Sequence, residues 1–536
     1  MPATFNERPH QNEKAEALAY VRRLMEQARK ESNHEDLPKL EKLLELIDSK
    51  RYGLVWEEHA ELVEEEMKTK IPVFVEDETR KIQGNPESEE YNFLLEGDNL
   101  HSLHLLQKTH AGKIDVIYID PPYNRGKTDF KYNDEFIDRQ DLYRHSKWLS
   151  FMNSRLKIAR SLLKQQGLIF ISIDDNEFSQ IKLLMDSIFG EDNFINTFIW
   201  KRNSSGKTEK DKFTVNTEYI LLYSKTREFT LNPAYKPLSE ATMKSYNKDD
   251  KDGRGRYASI SLQKPRDPGP ETTYDYVDNS GKVWTCPPKG WRMTYEKVKT
   301  LENDNRIITT GKTLRVKDYW NERDSEGKRI DTLWSDLPEN TSGSKELDKI
   351  LGVRGQFDNP KPTKLISRCL QISTQDATIL DFFAGSGTTG HAVAQLNKED
   401  GGSRKYILCT NNENKICEEV TYKRLSNIQE ELPHNLKYFK TQFIEKEDEE
   451  LEYSLLNNVK TLIELEHAID LNESDKAVAF SLSEIRALDL TGIKTVYVRQ
   501  HSHALMTKDD LVRYEGIELI DVPEYYFAKE MREAGL

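Results

Sequence analysis

Apolar positions at the start of the chain recur at helical spacing. Leu18, Val21, Leu24, Met25 and Ala28 fall at three- and four-residue steps within residues 13–31, and Leu37, Leu40, Leu43, Leu44 and Ile47 repeat the pattern after Asp36. The pattern predicts two amphipathic helices whose stripes suit core or subunit packing. The charged run from Glu57 to Lys70 reads as a solvated helix face, so residues 1–85 are assigned to a helical N-terminal region. After the polar stretch 83–90 the period changes. Short continuous apolar runs at 113–119, 167–173, 194–200 and 217–223 alternate with amphipathic stretches at 100–107, 142–164 and 177–189. That alternation is expected of a parallel sheet flanked by helices. It breaks down from about residue 201 into Gly, Pro and polar clusters, then returns as a strand at 378–383, a helix from Thr388 and a strand at 406–409. The chain is therefore expected to be an α/β domain in two parts, 86–200 and 356–430, separated by an insertion at 201–355 whose first part, to about 225, can complete the sheet. An acidic α+β region at 431–536 follows, expected to be separate.

Composition narrows the class. The 536 residues correspond to three or four domains, and 36% hydrophobic with 32% charged residues is a soluble globular balance. No apolar run approaches the ~18 residues of a membrane helix, and residues 1–14 carry no signal-peptide pattern, so a cytoplasmic protein without membrane contact is expected. The four cysteines (Cys286, Cys369, Cys409, Cys417) form no CxxC pair for zinc or redox work. The net charge of −14 conceals a contrast: residues 201–330 hold 27 Lys/Arg against 19 Asp/Glu, or +8, leaving −22 for the rest. A basic segment rich in Tyr and Trp sits inside an acidic protein, a composition suited to gripping phosphates and reaching bases, although an ordinary solvated surface would look the same. His101 with His104 and His501 with His503 form close pairs without a third ligand nearby, and no metal site is expected.

Two segments carry candidate chemistry. Asp381-Phe-Phe-Ala-Gly-Ser-Gly-Thr-Thr-Gly390 places a glycine-rich turn between a strand and a helix, where glycines admit close approach of a ligand to the main chain and the helix start presents free N–H groups. Gly385, Gly387 and Gly390 also satisfy the dinucleotide pattern, and a tight turn with no ligand would use the same residues. The second segment, Val116-Ile-Tyr-Ile-Asp-Pro-Pro-Tyr123, is an apolar strand ending in a carboxylate, two prolines and an aromatic ring. The prolines stiffen an edge whose carbonyls lack strand partners. The Asp120 carboxylate and Pro121 carbonyl together suit an –NH₂ group, and Tyr123 offers a face for a stacked base. A strand end with a core tyrosine is the plain alternative.

With both motifs in view the chain resembles the amino-methyltransferases that act on DNA with S-adenosylmethionine, and among them the adenine-N6 enzymes. The order, Asp120-Pro-Pro-Tyr123 before Asp381-Phe-Phe-Ala-Gly-Ser-Gly387 with a long region between, resembles their beta group. The segments Arg51-Tyr-Gly-Leu-Val-Trp56, Gly290-Trp-Arg292, Asp331-Thr-Leu-Trp-Ser-Asp336 and Thr410-Asn-Asn-Glu-Asn414 look particularly like the modification subunit of type III restriction–modification systems. The resemblance implies a Rossmann-like methyltransferase fold, a mostly parallel sheet with helices on both faces, interrupted by a target-recognition insertion. It implies Asp120, Pro121, Pro122 and Tyr123 as the catalytic residues. Asp381, Phe383, Ala384, Gly385, Ser386, Gly387, Thr388 and Thr389 would surround the methionine part of the cofactor, with Asp98 and Asn99 near its adenine and Lys361 with Pro362 over its methionine end. One of Asn411, Asn412 and Glu413 would meet the ribose. Arg125 stands where the family has Thr in an Asn-Thr-Gly. Double-stranded DNA, a second copy of the chain and a restriction helicase-nuclease subunit are the implied partners. A solitary adenine methylase and a catalytically idle DNA-binding subunit are the competing readings, whereas a nicotinamide oxidoreductase would leave Asp120 to Tyr123 unexplained.

Overall fold

The computed structural model describes residues 13–30, 36–48, 56–126, 130–133, 135–205, 213–236, 240–265, 269–311, 313–324, 328–373 and 375–536. Residues 51–55 of the Arg51–Trp56 segment lie outside them. The two N-terminal helices are present as α1 (Glu13–Lys30) and α2 (Asp36–Asp48), followed by the short α3 (Leu62–Thr69). Among the described residues no helix is long and apolar enough to cross a membrane.

One eleven-stranded sheet organises the molecule. Its strands in chain order are β1 (Lys70–Glu76), β2 (Ile82–Gln83), β3 (Asn92–Glu96), β4 (Ile114–Ile119), β5 (Leu163–Ile173), β6 (Phe194–Lys201), β7 (Thr217–Ser224), β8 (Leu333–Trp334), β9 (Thr378–Asp381), β10 (Lys405–Thr410) and β11 (Asn435–Glu445). Across the sheet they run β1-β11-β3-β10-β9-β4-β5-β7-β6-β8, with β2 beside β11. The pairs from β11 through β3, β10, β9 and β4 to β5 are parallel, as is β6 with β8, while β1, β2 and β7 pair antiparallel with their neighbours. Strands buried on both faces read as unbroken apolar runs, which is why Ile114–Ile119 and Gly167–Ile173 stand out in the sequence. Alternate residues feed two cores. Phe93, Leu95, Ile117, Ile119, Ile169 and Ile171 pack with α4 (Asn99–His110), α5 (Arg144–Leu162) and α6 (Phe178–Phe189); Leu94, Val116, Tyr118, Leu168 and Phe170 pack on the other face with α8 (Thr363–Gln371) and α9 (Thr388–Asp400), which follow α7 (Asn340–Leu351).

Three expected boundaries shift. The N-terminal region is not wholly helical, because β1 joins the sheet: Ile71, Val73 and Val75 are β-branched, Phe74 is fully buried, and Pro72 is tolerated on an edge strand. The insertion ends earlier than 355, while its first part completes the sheet as expected. β7 lies inside the sheet, and β8 returns to pair with β6, where the Trp334 ring stacks on Phe198 at 4.4 Å. Between them, Tyr257–Ser261, Ile307–Thr310 and Thr313–Tyr319 form an antiparallel sheet with a helix, Tyr295–Asn303, over their own core. The C-terminal region is neither separate from residue 431 nor α+β. β11 inserts between β1 and β3, and beyond α10 (Val459–His467) the strands Lys476–Ala479, Thr495–Arg499 and Glu518–Val522 form a small parallel sheet. Its last helix, α11 (Glu524–Glu533), docks on α4, where Lys108 Nζ donates to the Tyr526 carbonyl at 3.1 Å and Phe527 enters the large core.

Candidate active site

The two motifs end on neighbouring strands. β4 and β9 pair in parallel with Val116 opposite Ile379 and Ile117 opposite Leu380, so Asp120 and Asp381 emerge at the same edge of the sheet. That edge, at the carboxyl ends of parallel strands, is where α/β folds open a crevice for ligands. Past Asp120 the chain turns sharply: the Pro122 carbonyl accepts from Trp148 Nε1 at 2.7 Å, and Asn124 adopts a φ of +55°, a left-handed conformation that asparagine tolerates. Asn124 Nδ2 donates to Glu177 Oε1 at 2.5 Å, and His145 Nδ1 lies 2.6 Å from the same oxygen. Burial pushes the Glu177 carboxyl up to about 8, against the pull of Asn124.

Asp120 belongs to a cluster of alternating charge. Its Oδ1 accepts from the Tyr123 hydroxyl at 2.7 Å and its Oδ2 lies 3.0 Å from Lys361 Nζ. The same ammonium donates to Tyr123 Oη at 2.9 Å and lies 3.2 Å from Glu218 Oε2. Glu218, on β7, also accepts from Arg202 at 2.9 Å, and Arg125 lies 3.6 Å from it while its Nε pairs with Asp174 at 2.9 Å. Burial alone would push Glu218 up, but Lys361, Arg202 and Arg125 outweigh it and hold the carboxyl below its usual range. Burial would lower Lys361, yet Asp120 and Glu218 hold it above its ordinary value. The Lys361 ammonium is held between Asp120 and the buried Glu218. One expectation is corrected here. Tyr123 presents no open face: the residue is 6% exposed and its ring lies beneath the Arg125 and Lys361 cations, 4.8 and 5.0 Å from its centroid.

The glycine turn is built for close approach. Gly385 has φ +48°, and an added Cβ would meet the Phe357 ring at 2.9 Å; Gly387, φ +74°, caps α9 with Thr421 Cγ2 3.0 Å from a Cβ position. Side chains would be strained at both. Buried Asp381 braces this turn, accepting from the Phe383 N–H at 3.0 Å and the Thr389 hydroxyl at 2.5 Å, and burial pushes its carboxyl up to about 7. Ser386 and Thr388 are buried and hydrogen-bond each other at 3.0 Å, with Arg424 donating to Thr388 Oγ1 at 2.8 Å, so their hydroxyls secure the turn from within. Ala384 is fixed through its N–H to the Cys409 carbonyl at 3.1 Å. Phe383 and Gly385 remain partly exposed. Asp98 caps α4, accepting from the Leu100 N–H at 2.7 Å, and Asn99 Nδ2 donates to the Phe382 carbonyl at 2.8 Å, tying the end of β3 to the turn. Pro362 starts α8. At the end of β10, Asn412 Nδ2 donates to Glu96 at 3.2 Å, whereas Glu413 reaches across to Lys131 at 3.0 Å.

Several functional candidates escaped sequence reasoning. Arg155, fully buried on α5, donates to Asn99 Oδ1 at 2.6 Å and pairs with Glu61 at 2.8 Å; its guanidinium lies 3.6 Å over the Phe151 ring, itself 5.8 Å from Phe383. The available signals were a charge on the apolar stripe of 142–164 and, for Glu218, a charge inside the run 217–223. In the insertion, Tyr276, Trp284 and Trp291 belong to the local core and Tyr246, Tyr257 and Tyr319 are also buried, so these rings do not reach outward; Tyr235 is exposed. His101 is buried edge-on against Phe443.

A DNA methylase family model matches residues 114–422. The chain is 37% identical over 376 residues to the type III restriction-modification enzyme StyLTI Mod subunit of Salmonella typhimurium, covering 64% of this chain and 56% of that protein. It is 36% identical over 351 residues to the type II methyltransferase M.KpnI of Klebsiella pneumoniae, covering 61% and 82%. It is 32% identical over 439 residues to the EcoPI Mod subunit of Escherichia phage P1, covering 68% and 66%. The matches thus span just over half to two thirds of these two Mod subunits. Among solved structures, the PvuII DNA methyltransferase (cytosine-N4-specific) aligns with a TM-score of 0.35 and 13% identity over 65% of this chain and 95% of that one.

Proposed function

Because the chain belongs to the DNA methylase family through residues 114–422, we propose that it transfers a methyl group from S-adenosylmethionine to adenine N6 at a specific duplex DNA sequence. We further propose that it does so in the cytoplasm, as the modification and recognition subunit of a type III restriction–modification system. The observation that carries the reading is the adjacency of β4 and β9, which brings a carboxylate-Pro-Pro-Tyr turn beside a glycine turn with a buried aspartate. The residues fit the cofactor: Phe383 and Gly385 are partly exposed at a positive-φ glycine turn, and Asp381 is a buried carboxylate suited to an ammonium group. Asp381, Phe383, Ala384, Gly385, Ser386, Gly387, Thr388 and Thr389 would hold its methionine part, Asp98 and Asn99 its adenine side, and Asn412 with Glu413 its ribose. When bound, it supplies a methyl group activated on a sulfonium.

Asp120 and the Pro121 carbonyl would accept the two N–H bonds of the adenine amine. That favours a more tetrahedral nitrogen whose lone pair is withdrawn from conjugation with the ring, and the carboxylate can take the proton the amine sheds. Fixing the reacting groups contributes up to ~7–11 kcal/mol of barrier lowering. The target base must leave the duplex at a cost of about a few kcal/mol, which phosphate contacts by the basic insertion would offset. Aspartate rather than serine at the head of the motif supports adenine over cytosine N4. The similarity to Mod subunits supports a restriction partner, and the acidic C-terminal region supplies a surface for a second copy. Long-read sequencing of DNA from a methylation-deficient host expressing this chain, beside Asp120→Ala, tests the reading. N6-methyladenine on one strand of a short asymmetric sequence, lost in the variant, is expected. Marks on both strands of a palindrome would favour a solitary methylase, N4-methylcytosine would overturn the base assignment, and methylation surviving in Asp120→Ala would overturn the site.

A further inference from the structure

Asp120 is already occupied by donors. The Tyr123 hydroxyl takes one carboxylate oxygen and the Lys361 ammonium the other, at 2.7 and 3.0 Å. An ammonium is a compact nitrogen donor, so Lys361 fills the acceptor that an incoming amine requires. Immediately beyond both donors lies a second carboxylate. Glu218 Oε2 is 3.2 Å from Lys361 Nζ and 3.4 Å from Tyr123 Oη, while Arg202 holds its other oxygen. Glu218 is 2% exposed and sits in a strand of Tyr, Ile and Leu, where an ionised group carries a desolvation cost. The methyl-transfer scheme above gives it no task.

Resting on the adenine-methyltransferase reading, we propose that Lys361 and Tyr123 cap Asp120 in the resting protein and pass to Glu218 when the target amine enters. Glu218 is the receiving seat and Lys361 the movable cap; both are positioning residues that set how tightly the extrahelical amine is held. No proton changes owner: Lys361 stays an ammonium and Tyr123 a phenol, and each gives up Asp120 while keeping the Glu218 carboxylate it already reaches. The cluster also remains balanced, since Lys361, Arg125 and Arg202 face Asp120, Asp174 and Glu218 before and after the exchange.

A cluster that served only to hold the fold would make every substitution harmful, with Lys361→Arg the mildest. The exchange requires opposite signs. Lys361→Gln, a weaker competitor for Asp120, strengthens amine capture; Lys361→Arg, whose fork grips a carboxylate at two points, weakens it; Glu218→Gln removes the charged seat and weakens it. The full chain is titrated, with S-adenosylhomocysteine present, against two duplexes that carry either adenine or unsubstituted purine at the position the wild type methylates. The ratio of the two affinities isolates the amine, and a change of about tenfold is the scale expected where a hydrogen-bonding site gains or loses its partner. The ratio is expected to rise in Lys361→Gln, to fall in Lys361→Arg and Glu218→Gln, and to be insensitive to Glu218→Gln once Lys361→Gln is present. Melting curves and cofactor titration establish that each variant is folded. If Lys361→Gln does not fold, Glu218→Asp decides: it keeps the charge but withdraws the seat by one methylene, so an unchanged ratio overturns the exchange. Parallel shifts in Lys361→Gln and Lys361→Arg overturn it likewise while wild-type methylation stands. A wild type that marks no DNA base sinks the methyltransferase reading, and the exchange with it.

Discussion

At the proposed site, the buried carboxyl of Asp381 would link protonation to cofactor affinity. Pushed up to about 7 by burial, it is partly protonated in the free protein near neutral pH, whereas a cationic ammonium beside it requires the ionised form. Binding at pH below 7 must therefore expel a proton. Affinity for S-adenosylmethionine is expected to rise between pH 6 and 8, by up to about tenfold per unit on the acid side, and Asp381→Asn should bind more weakly with a flat profile, as calorimetric titration would report. Glu177 acts on stability instead. Its carboxyl is pushed up to about 8 from an ordinary 4.5, so between those values the folded state keeps a proton that the unfolded chain releases. Stability contributed by this group is thus complete below pH 4.5 and lost as pH rises through 8. Melting temperatures of the wild type should fall relative to Glu177→Gln across pH 5–9; parallel curves would show that Glu177 carries no such linkage.

The elements around the site depend on one another through buried charge. Glu61, at the head of α3, meets Arg155 of α5, which in turn orients Asn99 of α4 and through it the Phe382 carbonyl at the glycine turn. Removing one member of a buried pair costs about 3–5 kcal/mol when the other is left uncompensated, and Arg155 keeps Asp98 at 3.4 Å, so that range is the upper bound for loss of Glu61. Glu61→Ala is expected to lower unfolding free energy by up to that amount in denaturant titration and to weaken cofactor binding with little change in DNA affinity. Such links were not legible in the sequence, where position 61 is one glutamate in a charged run and 155 one arginine in a basic helix. The strands that frame the crevice were legible, since β4, β5 and β7 are apolar on both faces and cannot be anything but interior. β1 was missed because the adjoining charges dominated the local pattern. The aromatic residues of the insertion were misread for a related reason: composition counts rings, but only tertiary packing decides that Trp284 and Trp291 face inward. For Lys361 the motif placed the residue in the site, while its partner Glu218 comes from a strand 143 positions upstream in the chain.

At the scale of the whole molecule, charge is segregated by chain segment. The segment 201–330 carries +8 against −22 elsewhere, so DNA is expected to be engaged through the insertion and repelled by the rest. Affinity should then fall steeply with salt: six to ten phosphate contacts correspond to a loss of about 10³–10⁵ between 50 and 200 mM. Fluorescence anisotropy over that range checks it, and a shallow slope would mean that the insertion grips few phosphates.

The sheet order also dictates when the protein can exist. β4 needs β9 beside it, and β3 is flanked by β10 and β11, which are made roughly 300 residues later. Ribosomes add about 5–20 residues per second, so the early strands wait tens of seconds with their edges bare. Both the Asp120 turn and the glycine turn beside it can be shaped only after β9 and β10 have left the ribosome. A chain cut short anywhere in the insertion would carry the Asp120 turn with no cofactor loop to complete it, and premature termination should yield an unfolded fragment rather than a partial enzyme.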